Sequence, residues 1–238
     1  MFEKILIANR GAIACRILRT INVLKAKGIA VYSEADAASL HISQAAEAHS
    51  LGEGAASATY LAVDKILTIA KQSGATAIHP GYGFLSENAA FAEACEAQGI
   101  AFIGPTPEQL RVFGLKHTAR ALARQHGVPM LEGTDLLDSL DCALSAAEQV
   151  GYPVMLKSTA GGGGIGMRVC RSASELSESF EAVKRLGQNN FSDAGVFIEK
   201  YIERARHLEV QVFGDGCGEV IALGVRGGAE PGFVHAPR

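Results

Sequence analysis

The stretch Lys4-Ile5-Leu6-Ile7-Ala8 decides the fold class of this chain. It is a short apolar run, which is typical of a strand buried on both faces of a sheet. Asn9-Arg10-Gly11 ends the run, and apolar residues then recur at helical spacing, at Ile13, Ile17, Ile21 and Leu24. Gly28 marks the expected end of that helix. The residues Ile29-Ala30-Val31-Tyr32 then predict a second strand.

The same alternation of helices and strands continues to residue 103. The predicted elements are a helix at 63–70, a strand at 75–78, a helix capped by Ser86 that runs to residue 98, and a strand at 100–103. This order favours a parallel, doubly wound sheet. Ligands of such sheets bind beyond the carboxyl ends of the strands. The loop 79–83 lies at such an end, so His79 and Tyr82 could touch a substrate, although a plain turn between strand and helix explains them equally well.

A domain boundary is predicted where Gly104-Pro105-Thr106-Pro107-Glu108-Gln109 follows the last of these strands. Thr106 and Gln109 have the spacing of a capping box, with a proline at the first helical position. The helical stretch that follows contains Lys116, which by itself reads as a surface lysine. Gly127-Val128-Pro129 breaks this helix and is the expected point where the chain passes into a second domain.

An antiparallel α+β unit is predicted after Tyr152. Its elements are strands at 154–157 and 167–170, a helix at 174–185, a strand at 196–199, and a hairpin of strands 207–212 and 219–223 turned by Asp215-Gly216. The first hairpin strand alternates with period two, which places His207, Glu209 and Gln211 on its polar face. The last residues, 225–238, are rich in Gly, Ala and Pro and predict a disordered tail.

A glycine-rich loop, Gly161-Gly162-Gly163-Gly164-Ile165-Gly166, joins the first two strands of this unit. It formally satisfies G-x-G-x-x-G, but the dinucleotide fingerprint needs a helix after the loop, and a strand is predicted here. No Gly-Lys-Ser/Thr follows, which excludes a P-loop. The main-chain N–H groups of such a loop can surround phosphate oxygens, and Lys157 at the preceding strand end needs an anionic partner. Phosphate binding is the favoured interpretation, and a mobile loop with a solvent-reaching lysine is the alternative.

Two further groups could line a nucleotide cleft. Glu199-Lys200-Tyr201-Ile202 ends a strand and can offer main-chain groups to an adenine edge, but alone it reads as an ordinary strand end. The polar face with His207 could also meet a nucleotide, although a solvated sheet face explains it more simply.

Composition and charge exclude several classes of protein. The 238 residues include 22 Lys and Arg against 25 Asp and Glu, for a formal charge of −3. No long basic block is present, so nucleic acid is not an expected partner. No stretch approaches the roughly 20 apolar residues of a membrane span. The five cysteines are scattered without a C-x-x-C pair, which favours reduced thiols in the cytoplasm over a disulfide frame or a zinc site.

Taken together, these motifs closely resemble biotin carboxylase. The resemblance is carried by Ile5 to Ala14, His79 to Asn88, Phe102-Ile103-Gly104-Pro105, Lys116, the glycine loop behind Lys157, and Glu199-Lys200-Tyr201 leading to Arg206-His207-Leu208-Glu209. It runs from residue 2 to 224 and implies an α/β protein. The implied domains are a Rossmann-like parallel α/β domain at 1–112 and the first part of an ATP-grasp α+β domain at 113–224, with the disordered tail at 225–238.

The resemblance implies an ATP-dependent ligase that carboxylates biotin with bicarbonate through a carboxyphosphate intermediate. By position, the implied phosphate-binding residues are Lys116, Lys157, Gly161, Gly162, Gly163, Gly164 and Gly166. Glu199, Lys200, Tyr201 and Ile202 would hold the adenine, His207 would lie on the sugar side, and Tyr82 and Gly83 would lie near the carboxylation site. The implied cofactors are ATP, Mg²⁺ and biotin on a carrier domain or protein. The implied partners also include bicarbonate and a second copy of the chain.

One detail points to a subfamily. The resemblance places Ile165 where most biotin carboxylases have a basic residue. Ser158 to Met167, together with Phe113 to Ala119, look like the carboxylase part of urea carboxylase (urea amidolyase). A guanidine-type carboxylase is a related option, and an acetyl-CoA, propionyl-CoA or pyruvate carboxylase component is the second choice.

The chain departs from the family pattern after Leu223-Gly224, where an acidic, arginine- and glutamine-rich stretch and a further half-domain are expected. That part should hold the magnesium-binding carboxylates, the bicarbonate-binding groups and the main catalytic residues, so no metal ligand is expected in this chain. Three hypotheses follow. The chain is the ATP-binding half of a carboxylase and inactive alone, or a non-catalytic remnant that binds nucleotide or a partner chain, or an unstable gene fragment.

Overall fold

The computed structural model describes residues 2–114, 116–159, 166–191, 195–206 and 208–227. It divides the chain into two compact units, Met1–Gly114 and Leu115–Arg238. This division falls two residues from the boundary that the sequence predicts between residues 112 and 113. None of the helices in the described ranges combines the length and apolarity of a membrane span.

The first unit is built on a five-stranded parallel sheet. Its strands are β1 (Lys4–Ile7), β2 (Lys27–Ser33), β3 (Glu47–Gly52), β4 (Ala77–His79) and β5 (Ala101–Phe102), in the spatial order β3-β2-β1-β4-β5. Every neighbouring pair is parallel, as expected when crossover connections return the chain to the same end of the sheet. The predicted α/β class with a Rossmann-like parallel domain is therefore confirmed.

Helices cover both faces of this sheet because successive side chains of a strand point to opposite sides. The helices are α1 (Gly11–Val23), α2 (Leu40–Gln44), α3 (Val63–Gln72), α4 (Ala89–Glu96) and α5 (Pro107–Gly114). Ile5 and Ile7 of β1 pack against the buried face of α1. Leu6 lies between them in sequence and packs with buried residues of α3 and α4 on the other side.

Gly28 lies inside β2 and does not end α1, contrary to the prediction from the sequence. The helix ends at Val23, and Lys25 turns the chain with a left-handed φ of 59°. A Cβ atom at Gly28 would lie 2.4 Å from Cδ2 of Leu18. The glycine is therefore a close-packing residue, which lets α1 lie directly on the sheet.

The two predicted helix caps have different outcomes. The capping box of α5 is confirmed, because Thr106 N–H donates to Oε1 of Gln109 at 2.9 Å and Gln109 N–H donates to Oγ1 of Thr106 at 3.2 Å. The cap predicted at Ser86 is wrong. Asn88 caps α4 by accepting a 2.9 Å hydrogen bond from Phe91 N–H, while Ser86 N–H donates to the carbonyl of Gly83 in the preceding turn.

The second unit contains a three-stranded antiparallel sheet in the order β7-β6-β8. Its elements are α6 (Lys116–Gln125), α7 (Leu140–Val150), β6 (Val154–Ser158), β7 (Met167–Cys170), α8 (Ala173–Phe191) and β8 (Val196–Lys200). One face of the sheet packs on α7 and α8 and holds the core. The strand-like return after the glycine loop and the antiparallel α+β character are confirmed.

A separate hairpin follows, made of β9 (Leu208–Gly214) and β10 (Val220–Gly227). The side-chain oxygen Oδ1 of Asp215 fixes its turn by accepting hydrogen bonds from the N–H groups of Cys217 and Glu219, at 2.7 and 3.1 Å. The apolar side chains of this hairpin are more than half exposed, among them Val210, Val212, Phe213, Ile221 and Leu223. Because β10 runs through Gly227, the disorder predicted from residue 225 is wrong for 225–227, and 228–238 lie outside the described residues.

Candidate functional site

The candidate site lies on the face of the β7-β6-β8 sheet that is turned away from α7 and α8. Val154 and Leu156 of β6 point into the core, so Lys157 points to the opposite face. On β8, Val196 and Ile198 are likewise in the core, which puts Glu199 on the same face as Lys157. We call this face the Lys157 face.

Lys157 and Glu199 are diagonal neighbours on two paired strands. Lys157 is registered opposite Phe197, and Glu199 is registered opposite Met155. Diagonal pairs across antiparallel strands are close enough for long side chains to meet. The Lys157 ammonium accordingly donates to Oε2 of the Glu199 carboxylate.

A second cation reaches the same carboxylate from α6. The guanidinium nitrogen Nη1 of Arg120 donates to Oε1 of Glu199 at 2.7 Å. The side chains of Arg120, Glu199 and Lys157 are only 15%, 16% and 20% exposed. Ion pairs in such partly desolvated surroundings are stronger than surface pairs, and each oxygen of Glu199 has a cation of its own.

Arg120 is held in this position from two sides. Its Nη2 donates to the carbonyl of Leu131 at 3.0 Å. A Cβ atom at Gly133 would lie 2.7 Å from that same nitrogen and 2.8 Å from the carbonyl oxygen of Ile198. Gly133 therefore admits the guanidinium close to the edge of β8, where Gly133 itself bridges to Glu199. A cavity of about 360 Å³ beside this pair is lined by Ala119, Arg120, Ala123, Met130, Leu131 and Glu199.

The sequence indicates that Lys157 needs an anionic partner and favours a phosphate. In the structure a protein carboxylate takes this place, that of Glu199, to which the family resemblance gives a role in adenine binding. Arg120 does not appear among the predicted site residues at all. A count of period-two alternation along β6 and β8 could have placed Lys157 and Glu199 on one face, but only the tertiary fold brings α6 to them.

The ends of the glycine loop are fixed, whereas Gly161, Gly162, Gly163 and Gly164 lie outside the described residues. Ser158 N–H donates to the carbonyl of Gly166 at 2.9 Å, and Thr159 N–H donates to that of Gly195 at 2.9 Å. Gly166 has a φ of 74°, and a Cβ atom there would lie 2.3 Å from Oγ of Ser158. The loop therefore starts and ends beside Lys157, at a position where only glycine fits without rearrangement.

The predicted adenine segment starts inside β8 and continues beyond it. The Lys200 ammonium donates to the carbonyls of Gly151 and Tyr152, at 2.7 and 3.3 Å, near the carboxyl end of α7. Tyr201 N–H donates to the carbonyl of Pro153 at 3.1 Å, and the side chain of Ile202 is 41% exposed. The side chain of Lys200 therefore supports the fold here.

For two other predicted site residues of this unit, the structure gives at most a place in the fold. Lys116 is the first residue of α6, four residues before Arg120. His207 lies outside the described residues.

The loop with Tyr82 and Gly83 belongs to the first unit and follows β4. Nδ2 of the buried Asn9 donates to the carbonyls of Pro80 and Tyr82, both at 2.8 Å. The side chain of Tyr82 is 68% exposed. Nδ1 of His79 accepts from Gly81 N–H at 3.0 Å, and burial lowers the pKa of His79 below its ordinary value. His79 therefore shapes the loop as a neutral imidazole.

A polar network lies at the carboxyl ends of β1 and β2. The carboxylate of Asp36 accepts hydrogen bonds from Tyr60 at 2.6 Å, from Ser33 at 2.9 Å and from Arg10 at 3.1 Å. Burial alone would raise the pKa of Asp36, but these hydrogen bonds and the Arg10 charge outweigh it and keep that pKa below its ordinary value. The guanidinium of Arg10 also lies over the rings of Tyr60 and Phe84.

No group of three or more His, Cys, Asp or Glu side chains comes together to hold a metal ion within the described ranges.

Comparison with known protein domains gives the class of the chain. Residues 1–110 match the biotin carboxylase N-terminal domain, and residues 116–231 match the ATP binding domain of the carbamoyl-phosphate synthase L chain. The chain thus joins a Rossmann-like domain to part of an ATP-grasp domain. It belongs to the biotin carboxylase family.

Relatives of several kinds have similar identities to this chain. It is 50% identical to urea amidolyase of Saccharomyces cerevisiae over 95% of its own length and 12% of that protein. It is 51% identical to a putative urea carboxylase of Emericella nidulans, over 94% of this chain and 18% of that protein. The identity to biotin carboxylase of Nostoc sp. is 50%, over 94% of this chain and 51% of that protein. The chain therefore spans about half of the biotin carboxylases that it matches, and much less of the urea enzymes.

Solved structures agree with this assignment. A biotin carboxylase from Campylobacter jejuni, in a β,γ-ATP complex, matches with a TM-score of 0.91 and 42% identity, over 94% of this chain and 51% of that one. The biotin carboxylase domain dimer of Hydrogenobacter thermophilus 2-oxoglutarate carboxylase, with MgADP, ADP and bicarbonate, matches with a TM-score of 0.88 and 41% identity, over 94% of this chain and 50% of that one.

Proposed function

We propose that this chain supplies the ATP-binding part of a biotin-dependent carboxylase, in which ATP and bicarbonate carboxylate biotin. The observation that carries the proposal is the place of Lys157. It lies half-buried at the end of β6, beside both ends of the glycine loop. Phosphoryl transfer depends on cations and oriented N–H groups around the phosphates. Lys157 offers the cation, and we propose that the glycine loop supplies the N–H groups.

The site residues take the roles that the family resemblance implies. Lys116, Lys157 and the loop Gly161, Gly162, Gly163, Gly164 and Gly166 bind the phosphates. The segment from Glu199 to Ile202 holds the adenine and His207 lies on the sugar side, while Tyr82 and Gly83 face the carboxylation site. The side chains of Glu199 and Lys200 already have protein partners, and so do the N–H groups of Lys200 and Tyr201. We therefore assign adenine recognition to the remaining main-chain groups of this segment.

We propose urea as the final carboxyl acceptor, as in urea carboxylase. A guanidine-type carboxylase or an acyl-CoA or pyruvate carboxylase component is the alternative. The identity to methylcrotonoyl-CoA carboxylase subunit alpha of Mus musculus is 48%, against 50% for yeast urea amidolyase. Support for urea therefore comes from the glycine loop, where the family resemblance places Ile165 at a position that is usually basic.

The remaining partners are those of the family: bicarbonate, a biotinyl carrier domain or protein, and a second copy of the chain as a homodimer. The biotin carboxylase domain of the Hydrogenobacter thermophilus enzyme forms such a dimer. All five cysteines of this chain are free thiols, which supports a cytoplasmic location.

Mg²⁺ is the metal cofactor that the family resemblance implies. The resemblance assigns no magnesium ligand and no main catalytic residue to the part of the family pattern that this chain matches, so we propose none here. The chain alone is proposed to bind nucleotide without carboxylating biotin. A nucleotide-binding remnant that acts through a partner chain is the second candidate.

Calorimetric titration of the purified chain with ATP tests the proposal. We expect saturable binding at one site, with ADP competing for it. A correctly folded chain that binds neither nucleotide would refute the proposed function.

A further inference from the structure

We infer that Arg120 is a positioning residue for the phosphate site, because it holds the Glu199 carboxylate and so keeps Lys157 available to the phosphates of a nucleotide. The inference rests on the proposed nucleotide binding by this chain. It starts from the shared carboxylate, since Glu199 contacts Arg120 through Oε1 and Lys157 through Oε2.

Arg120 determines the net charge of the cluster that it forms with Glu199 and Lys157. Within the described cluster of Arg120, Glu199 and Lys157, two cations and one carboxylate leave a single net positive charge. Without Arg120, the charges of Lys157 and Glu199 would cancel, and the approaching triphosphate would meet a neutral pair. At 15–20% exposure of these side chains, water screens the difference only in part. Arg120 therefore accounts for the excess charge that attracts an anion.

Arg120 also lowers the free-energy cost of moving the Lys157 ammonium away from Glu199. A phosphate that takes the Lys157 ammonium removes one partner from Glu199. A half-buried carboxylate left without a cation is strongly unfavourable. Arg120 stays behind as its partner, because the Leu131 carbonyl and the space at Gly133 fix the guanidinium independently of Lys157. Lys157 is thus free to exchange Glu199 for a phosphate.

A comparison of ligands with and without phosphates distinguishes this positioning role from a merely structural one. Arg120→Met is compared with the wild-type chain for binding of ATP and of adenosine, by calorimetry or by displacement of a fluorescent ATP analogue. Arg124→Met, one turn further along α6, is the matched control. Arg124 pairs with the 82%-exposed side chain of Asp135, at 3.3 Å.

We expect Arg120→Met to weaken ATP binding about tenfold, the scale of one charge-assisted contact. Adenosine has no phosphate for Lys157, so its affinity should not change. Arg124→Met should leave ATP affinity within about twofold, because exposed pairs contribute little. The double variant Arg120→Met/Glu199→Gln removes one positive and one negative charge. It should return ATP affinity to within about threefold of wild type, as expected for coupled neighbours.

Each outcome has one meaning. Equal ATP affinity of Arg120→Met and the wild-type chain overturns the role of Arg120. An equal loss of affinity for ATP and for adenosine also overturns it. So does a double variant that binds ATP as weakly as Arg120→Met. A wild-type chain that binds no ATP overturns the proposed function itself. If Arg120→Met does not fold, Arg120→Lys replaces it. A folded Arg120→Lys that keeps ATP affinity, beside a folded Arg120→Gln that loses it, supports the inference, and equal affinities of these two overturn it.

Discussion

The side-chain amide of Asn9, just after β1, donates a 2.8 Å hydrogen bond to the carbonyl oxygen of Tyr82, in the loop after β4. The same Nδ2 also donates to Pro80 at 2.8 Å. Asn9 is 3% exposed, and a Cβ atom at Gly81 would lie 2.7 Å from Nδ2. One buried amide thus connects two neighbouring strand ends and fixes the loop that carries Tyr82.

Asn9→Ala should destabilise the first unit. It leaves two carbonyl oxygens without their donor, and an unsatisfied buried polar group costs about 1–3 kcal/mol. The free energy of unfolding in urea measures the effect. Asn22→Ala, at an exposed position of α1, is the control and should change stability by less than about 0.5 kcal/mol. Equal stabilities of the two variants would show that Asn9 is not a structural tie.

Gly166→Ala should destabilise the second unit by about 1–3 kcal/mol, because it combines a left-handed φ with a steric clash. The φ is 74°, and the added methyl would lie 2.3 Å from Oγ of Ser158. Gly216→Ala is the matched control, since Gly216 has a φ of 76° but open space around the added atom. Its urea denaturation should show the smaller loss. The double variant Gly166→Ala/Ser158→Ala should recover part of the difference, and no recovery would contradict the clash.

Lys157→Ala should weaken ATP binding roughly ten- to a hundredfold, the range for a partly buried charge-assisted contact. Lys25→Ala, at an exposed position after α1, should leave the affinity unchanged. Calorimetric titration of both variants with ATP makes the comparison. Equal affinities would mean that Lys157 serves only as the partner of Glu199.

Asp36 should contribute to the pH dependence of stability. Its pKa is lower in the folded chain than the ordinary value of 3.8. The folded state therefore binds fewer protons than the unfolded state as the pH falls through this range. The stabilisation is complete above the unfolded pKa and is lost as the pH falls through the lower, folded pKa. Unfolding of wild type and Asp36→Asn, followed from pH 7 to 3, should show a stability difference that shrinks with acid. A difference that stays constant would exclude a contribution from Asp36 ionisation.

The chain alone should not carboxylate biotin. Charge that develops in phosphoryl transfer needs a held metal as well as cationic side chains, and the family resemblance places the carboxylates that hold this metal outside the part of the family pattern that the chain matches. The assay is ADP release that depends on bicarbonate and free biotin. Robust turnover, abolished by Lys157→Ala, would show that the chain is a complete catalyst.

Most of the fold follows from local patterns in the sequence. The β1 run and the helical spacing of α1 predict the parallel sheet, and the turn at Asp215 predicts the hairpin. β3 is missed because Glu47, His49 and Ser50 give an edge strand no apolar signature. Gly28 is misread because its reason is a close contact with Leu18, which is a tertiary property.

Only part of the candidate site is predictable from the sequence. The need of Lys157 for an anion follows from its place at the end of an apolar strand. The identity of its protein partner depends on strand register, which the sequence does not state. The position of the Arg120 guanidinium depends on how α6 packs beside β8 and on the absence of a side chain at Gly133. Residues that act through such contacts have no motif of their own.

The hairpin of β9 and β10 affects how strongly the protein self-associates in solution. Its apolar side chains, including Val212, Phe213 and Ile221, present a water-facing surface on a two-stranded element. Apolar area that stays in contact with water favours self-association as concentration rises. Light scattering should therefore increase with concentration and with sulfate, which strengthens apolar contacts. Charged substitutions at Val212 and Ile221 should extend the range of concentrations over which the chain remains monodisperse.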